Sequence, residues 1–433
     1  MASARFLSAY RDRNMLVLLY IGFASGLPFL LTLSTLSAWL SQAEVNIKAI
    51  GLFALVGLPY SLKFLWAPFK DALQVPVLTR YLGHRLAWLF ATQLCLAAAI
   101  YAMGMIDPKT QLWALAFASL LVTFLSASQD IVSDAYRIEL QEKVENMGAG
   151  AAVHSLGYRI GMLIAGAGAL YLAVEFPWAV VYQIISGIMA LCALGCFLCP
   201  KSRSDVLRQN APMPTIRDSV IEPLRDFSSR SGWSIILLFV LCFKLGDSLA
   251  TSLATPFYLH LQFTYAEIAT ITKIFGPAIF LLGGFLGGEL VRRRGVFLAL
   301  WIGGIAQFIG IFPFAILASA GRDIGLLTFA IGAENFTSGM GSAAFVAYLS
   351  GLCNLRYTAS QYAILSSIMA LGRTILSSGM GYVVIWTGWV WFFVLTAMMA
   401  IPGLILLRHL MRLESEKKLV TVNIGDEKPM DSF

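Results

Sequence analysis

Apolar residues run along this chain in stretches of about 20, separated by short polar segments, and do not alternate with polar ones or recur at amphipathic spacing. Twelve such stretches lie near residues 15–40, 49–69, 86–104, 111–135, 150–173, 177–199, 233–256, 268–288, 296–318, 324–350, 361–384 and 387–407. A helix rises about 1.5 Å per residue and the hydrocarbon core of a bilayer is about 30 Å thick, so each stretch is one membrane crossing. The pattern predicts an all-α, polytopic membrane protein with twelve transmembrane helices. Gly26 and Pro28 predict a bend in the first. One long polar segment, 200–232, interrupts the series between the sixth and seventh spans. It divides the chain into an N-terminal six-helix bundle (1–199), a linker (200–232), a C-terminal six-helix bundle (233–407) and a polar tail (408–433).

The two halves echo each other. Lys63 with Pro68 in span two answers Lys273 with Pro277 in span eight; Arg159 in span five answers Arg373 in span eleven; Asp130 in span four answers Glu334 in span ten. The offsets fall between 204 and 214 residues. Parallel repeats of six spans are an organisation of secondary transporters, whose solute site lies between the halves near the midplane.

Ionisable residues inside spans are costly, so each is a candidate for function. Those here are Lys63, Asp130, Asp134, Arg159, Lys244, Asp247, Lys273, Glu334 and Arg373, and none lies in spans three, six, nine or twelve. That period of three predicts that every third helix is a lipid-facing scaffold while the others line a solvated cavity. Span one carries Ser25, Thr32, Ser34, Thr35 and Ser37 in place of charges. Lys244 and Asp247, three apart, share a helical face and can pair. The stretch Ser126 to Arg137 brings Gln129, Asp130 and Asp134 into the end of an apolar helix, with both acids on one face. Five basic groups against four acids disfavour a cationic cargo and favour a solute with carboxylates, amides and hydroxyls. The substrate-binding candidates are Lys63, Gln129, Asp130, Tyr158, Arg159, Lys244, Lys273, Asn335 and Arg373. Asp130, Asp247 and Glu334 are the candidates for proton coupling, with structural salt bridges as the competing reading for each.

Composition fits this picture: 58% of the 433 residues are hydrophobic and 13% charged, too apolar for a soluble protein. The net charge of +7 matters through its placement. Of the 31 lysines and arginines, 23 fall in the termini and in the loops on their side, while the opposite loops hold Lys48, Lys109 and Arg322. Both termini are therefore expected in the cytoplasm. The first apolar run has no cleavage pattern and is expected to be retained. The six cysteines show neither paired metal-ligand spacing nor a disulfide framework, and no phosphate-binding Gly-x-x-x-x-Gly-Lys loop is present. No metal, cofactor or nucleic-acid partner is expected; the expected partners are the solute, protons and the bilayer, with the chain monomeric. A membrane-embedded transferase would need acids or histidines in the outer loops, and these are too short and too poor in them.

The loop after span two, with Asp71, Arg80 and Arg85, resembles in stretched form the Gly-x-x-x-Asp-Arg/Lys-x-Gly-Arg/Lys-Arg/Lys loop of major facilitators, and the loop after span eight, with Glu289 and Arg292, is closer to it. The resemblance implies that Asp71, Arg80, Arg85, Glu289 and Arg292 hold a cytoplasmic gate, to which Asp134 is assigned by its place near that edge. Beyond the loops, Gly22-Phe-Ala-Ser-Gly-Leu-Pro28, Lys63-Phe-Leu-Trp-Ala-Pro68, Ser126-Ala-Ser-Gln-Asp-Ile-Val-Ser-Asp-Ala135, Gly157-Tyr-Arg-Ile-Gly-Met-Leu163, Lys244-Leu-Gly-Asp247 and Glu334-Asn-Phe-Thr-Ser-Gly-Met-Gly-Ser342 resemble the AmpG-type muropeptide permeases. That resemblance runs from span one to span twelve. It implies a major facilitator fold in the bacterial inner membrane and import of N-acetylglucosaminyl-anhydro-N-acetylmuramyl peptides by proton symport. Eukaryotic acetyl-coenzyme A transporters resemble the same family, so another anionic solute is the alternative. Some members continue past span twelve with further apolar segments, where this sequence runs into the polar stretch Met411 to Phe433.

Overall fold

A computed structural model describes residues 13–425 apart from 47–48, 50–51, 142–143, 209–215 and 231. Lys48, part of the 200–232 linker and the end of the polar tail lie outside the described residues. Twelve long helical stretches follow in order among those described: α1 (Arg13–Gln42), α2 (53–72), α3 (His84–Gly104), α4 (Leu112–Leu140), α5 (Asn146–Glu175), α6 (Trp178–Leu198), α7 (Trp233–His260), α8 (Glu267–Arg294), α9 (Val296–Ala320), α10 (Ile324–Gly351), α11 (358–387) and α12 (389–413), with the shorter helices Leu78–Leu82, Arg203–Arg208 and Ile216–Ser228 between them. No strand occurs among them.

Several helices depart from regular α geometry where the sequence gives a reason. α1 breaks at residues 32–33, just after Pro28. α2 is a chain of short turns, 3₁₀ at Phe53–Gly57, α at Leu58–Leu62, 3₁₀ at Lys63–Leu65 and α again from Ala67, with prolines at 59 and 68. α8 carries a π turn at Thr270–Phe275 directly before Pro277. Each proline removes a backbone donor, so the turn before it closes in another register. Helix continues from α11 into α12 except at Gly388, whose φ of 74° lies in the region that favours glycine.

The chain forms two compact units. One comprises the chain up to Asp226 with Val346–Ser367, the other Phe227–Phe345 with the chain from Ile368 onward. In the first, α1 and α5 meet backbone to backbone: a Cβ on Gly22 would strike the His154 carbonyl, and one on Gly157 the Leu19 carbonyl. Small residues at such a seam let two membrane helices approach closely. Leu27, Leu31, Leu96, Ile100, Val122, Tyr182 and Ile185 fill the core beside it. The second unit is cored by rings: Phe257 meets Phe393 edge-on at 4.7 Å, and Phe314 stacks on Phe393 at 5.3 Å. Large apolar side chains such as Trp113, Tyr171, Ile385 and Trp386 stand exposed, which suits a hydrocarbon surrounding.

Candidate functional site

Three polar clusters are built into these helices. The first lies in the first unit, where α2 crosses α4. Lys63, on the 3₁₀ turn, places Nζ 3.7 Å from the Asp134 carboxylate, which also faces Arg137 on its own helix at 3.4 Å. Asp130, one turn away, is half-buried on the same face. Aromatic groups border it: Phe29 meets Tyr60 edge-on at 5.2 Å and Tyr158 at 6.0 Å, and the Tyr60 and Ser126 hydroxyls lie 2.8 Å apart. Gln129 is buried, and its amide reaches the Ser25 hydroxyl at 3.4 Å. Such hydroxyls, amides and ring faces beside a carboxyl can hold a hydroxyl- and amide-rich solute.

The second cluster sits at the end of α2 and the start of α3, and every member is fully buried. Arg85 Nη2 donates to Asp71 Oδ1 at 2.6 Å, while Nε donates to Glu139 Oε1 at 2.9 Å. Asp71 Oδ2 accepts the backbone N–H of Ser360 at 2.8 Å and its hydroxyl at 2.6 Å. Ser360 lies in the first turn of α11, so Asp71 also caps that helix and meets the positive end of its dipole. Glu139 Oε2 accepts the Ser204 hydroxyl at 2.5 Å. Nearby, Arg137 donates to the Ser350 hydroxyl at 3.2 Å and lies over the Tyr362 ring at 5.2 Å. Ala67, Ile131, Ala135, Ala359 and Ala363 pack beneath. The segment Val346–Ser367 is thus tied to α2, α3 and α4 by ion pairs, a helix cap and an apolar patch. Breaking a buried pair of this kind costs about 3–5 kcal/mol, so the tie can act as a latch.

The third cluster is in the second unit. Lys244 Nζ lies 2.7 Å from Asp247 Oδ2 and donates to Gln307 Oε1 at 2.9 Å and to the Ser338 hydroxyl at 3.1 Å. Ser338 in turn donates to Asp247 Oδ2 at 2.8 Å. Glu334, buried one turn earlier on α10, accepts the Asn335 amide at 2.8 Å. Three helices, α7, α9 and α10, converge on one lysine and two acids.

The sequence-derived residues divide accordingly. Lys244, Asp247, Glu334 and Asn335 come together. Lys63 and Asp134 pair, with Asp130, Gln129 and Tyr158 close by. Asp134, expected near the cytoplasmic edge, faces Lys63 and Arg137, while Arg85 contacts Asp71 and Glu139. Arg80 stands exposed on the short helix Leu78–Leu82, outside the buried cluster. Glu289 pairs on its own helix with Arg292, Nε to Oε2 at 2.8 Å, and with Arg293. Arg159 is half-buried, whereas Lys273, on the π turn, and Arg373 are exposed. Span nine, read as pure scaffold, supplies Gln307 to Lys244. Glu139, Ser360, Gln307 and Tyr60 join these clusters without a place among the sequence candidates, and Ser338 joins from within the Glu334–Ser342 stretch. Of the first four, Glu139 alone has a sequence signal, an acid two residues past Arg137 at the end of an apolar helix.

Polar and charged side chains buried within long apolar helices in two units are the construction of a polytopic transporter. The model of the Major Facilitator Superfamily matches residues 18–353. The chain is 38% identical over 408 residues to the anhydromuropeptide permease of Escherichia coli strain K12, covering 94% of this chain and 81% of that protein. It is 37% identical over 412 residues to a Rickettsia conorii protein named as transporter AmpG 4, covering 94% and 98%. Among solved structures, the fucose:proton symporter FucP of E. coli aligns at a TM-score of 0.68 with 15% identity over 91% of this chain and 98% of its own. The proton:xylose symporter XylE aligns at 0.66 with 13% identity over 92% and 95%. These last two speak for the fold alone. The chain belongs to the Major Facilitator Superfamily and, within it, to the AmpG-type permeases. It is a multi-pass membrane transporter.

Proposed function

We propose that this protein imports anhydro-muropeptides, N-acetylglucosaminyl-anhydro-N-acetylmuramyl peptides, from periplasm to cytoplasm by proton symport, for reuse of cell-wall fragments. The observation that carries this reading is the 38% identity to the E. coli anhydromuropeptide permease over 94% of the chain. The protein works as a monomer in the bacterial inner membrane with both termini in the cytoplasm, as the distribution of lysine and arginine favours. The solute is held by Gln129, Asp130, Tyr158, Arg159, Lys244, Lys273, Asn335, Arg373 and Lys63, groups that match its carboxylates, amides and sugar hydroxyls. Proton coupling uses the intramembrane acids Asp130, Asp247 and Glu334. Asp71 and Arg85 form the cytoplasmic gate with Glu139, and Arg80, Asp134, Glu289 and Arg292 serve around it. In alternating access, the latch on Val346–Ser367 must open for release to the cytoplasm.

The test is uptake of labelled anhydro-muropeptide into liposomes containing the purified protein. Uptake should rise with an inward proton gradient. Equal uptake with and without the gradient would sink the coupling, and no uptake under either condition would sink the substrate.

A further inference from the structure

Arg137 stands outside the binding and gate assignments above, yet its two ends reach toward both. Nη2 faces Asp134 Oδ1 at 3.4 Å, and Nη1 donates to the Ser350 hydroxyl at 3.2 Å. Ser350 gives its own hydrogen to the Val346 carbonyl, so toward Arg137 it acts as an acceptor. The guanidinium also lies over the Tyr362 ring at 5.2 Å. Ser350 and Tyr362 both belong to Val346–Ser367, the latched segment. On the other side, Asp134 Oδ2 faces Lys63 at 3.7 Å. One carboxylate is thus divided between two cations, one oxygen to each, at distances longer than the 2.6 and 2.9 Å of the Arg85 clamp. Loose contacts of this kind redistribute easily. Exposure gives the arrangement a direction: the Lys63 and Asp134 side chains are 13% and 20% exposed, the Arg137 side chain 3%. The lysine and the acid are open to a solute, and the arginine is sealed behind them.

We propose, on the basis of the anhydro-muropeptide reading, that Arg137 is a positioning residue that relays solute binding to the latch. A carboxylate of the solute takes up Lys63. Asp134 then keeps Arg137 as its counter-ion, and in a low-dielectric interior the attraction between the two is strong enough to draw the guanidinium in. That movement withdraws Nη1 from Ser350 and the cation from the face of Tyr362. Val346–Ser367 loses two of its ties, leaving the cap of Asp71 on Ser360 and the apolar patch around Ala359 and Ala363. The arriving negative charge thereby loosens the segment that must open for release. No covalent bond changes and no proton is needed for this step. Neutral hydroxyls and amides of the solute do not compete for Lys63 as an anion does, so the relay answers to the carboxylate and not to the sugar.

Cys353, three residues beyond Ser350 on the latched segment and half-buried, is a built-in probe. Its alkylation by N-ethylmaleimide in the reconstituted protein is followed by mass spectrometry of the peptide that carries it. Lys63→Gln takes the cation from Asp134 with no solute present and should speed labelling severalfold; an unchanged rate would overturn the relay. Arg137→Gln should be fast on its own, and adding Lys63→Gln to it should change nothing further. A full effect of Lys63→Gln in that background would mean that the signal bypasses Arg137 and would also overturn the proposal. Asp134→Asn is the independent variant: with no anion to draw Arg137 away from Ser350, labelling should stay at or below the wild-type rate, and acceleration would count against the relay. Anhydro-muropeptide itself should speed labelling in the wild type and not in Asp134→Asn. Uptake separates the two claims. A wild type that fails to take up anhydro-muropeptide removes the substrate reading, whereas one that takes it up without faster labelling of Cys353 removes the relay.

Discussion

Two of the buried clusters have the same inventory, two acids and one base, and opposite wiring. In the first unit Arg85 lies between Asp71 and Glu139 and donates to both. Its planar guanidinium offers five donors in a fixed fork, enough to hydrogen-bond two carboxylates at once. The remaining charge is met by Ser204 on Glu139 and by the first turn of α11 on Asp71. In the second unit the base is a lysine, a point charge that contacts one acid, Asp247, and donates to the neutral groups Gln307 and Ser338. Arginine in the middle makes a clamp. Lysine beside Asp247 and Ser338 makes a junction of three helices. The stoichiometry of charged residues, which the sequence displays, does not separate the two arrangements; the order of contacts does.

Removing each base in turn is the strongest way to break this comparison. Arg85→Ala leaves two buried carboxylates facing donors arranged for ionised acids, and should cost about 3–5 kcal/mol of stability. Thermal unfolding of the purified protein in detergent would register a large fall in Tm, together with loss of uptake. A variant as stable as wild type would show that Arg85 is no clamp. Lys244→Ala should cost less, about 1–3 kcal/mol, because Ser338 still donates to Asp247. Uptake should nevertheless be lost, since Lys244 is a proposed solute-holding group and the ion-pair partner of Asp247. If Lys244→Ala destabilised as much as Arg85→Ala, the two clusters would be equivalent clamps and the distinction would fail.

What the sequence revealed follows the same line. Twelve apolar stretches are a local property, and the helices appear where these stretches lie. Lys244 and Asp247 were legible as a pair because three residues on a helix fix their distance. Asp71 and Arg85 were both visible as gate residues, yet their shared partner Glu139 and the cap on Ser360 depend on tertiary approach of segments far apart in the chain. Gln307 was hidden because a neutral amide in an apolar helix carries no charge signal. The echo between the two halves of the sequence is uneven in space. Lys63 sits on a 3₁₀ turn and pairs with Asp134, whereas Lys273, its counterpart, sits on a π turn and is exposed. Prolines five and four residues onward disturb both helices, and the two halves resolve the disturbance differently.

Hydroxyl deletions sharpen the comparison at smaller scale. Ser360→Ala removes one of the two hydrogen bonds that Ser360 makes to Asp71 and keeps the backbone N–H, so a loss of about 0.5–1.5 kcal/mol is expected. If the latch opens in each cycle, weakening it should speed release of accumulated substrate from inside-loaded liposomes; unchanged efflux with lowered stability would make Ser360 a helix cap and nothing more.

The smallest effect on stability is expected for Ser338→Ala. Its hydroxyl accepts from Lys244 and donates to Asp247, but those two charges already touch at 2.7 Å, so the ion pair survives its removal. The cost should stay under about 1 kcal/mol. Function is the more sensitive reading. Asp247, a proposed proton-coupling acid, loses a neutral donor that favours its ionised form. The pH at which gradient-driven uptake is half-maximal should therefore move, while Ser360→Ala, in the clamp, should leave it in place. A shift produced by Ser360→Ala and not by Ser338→Ala would place the proton in the first unit and reverse the roles of the two clusters.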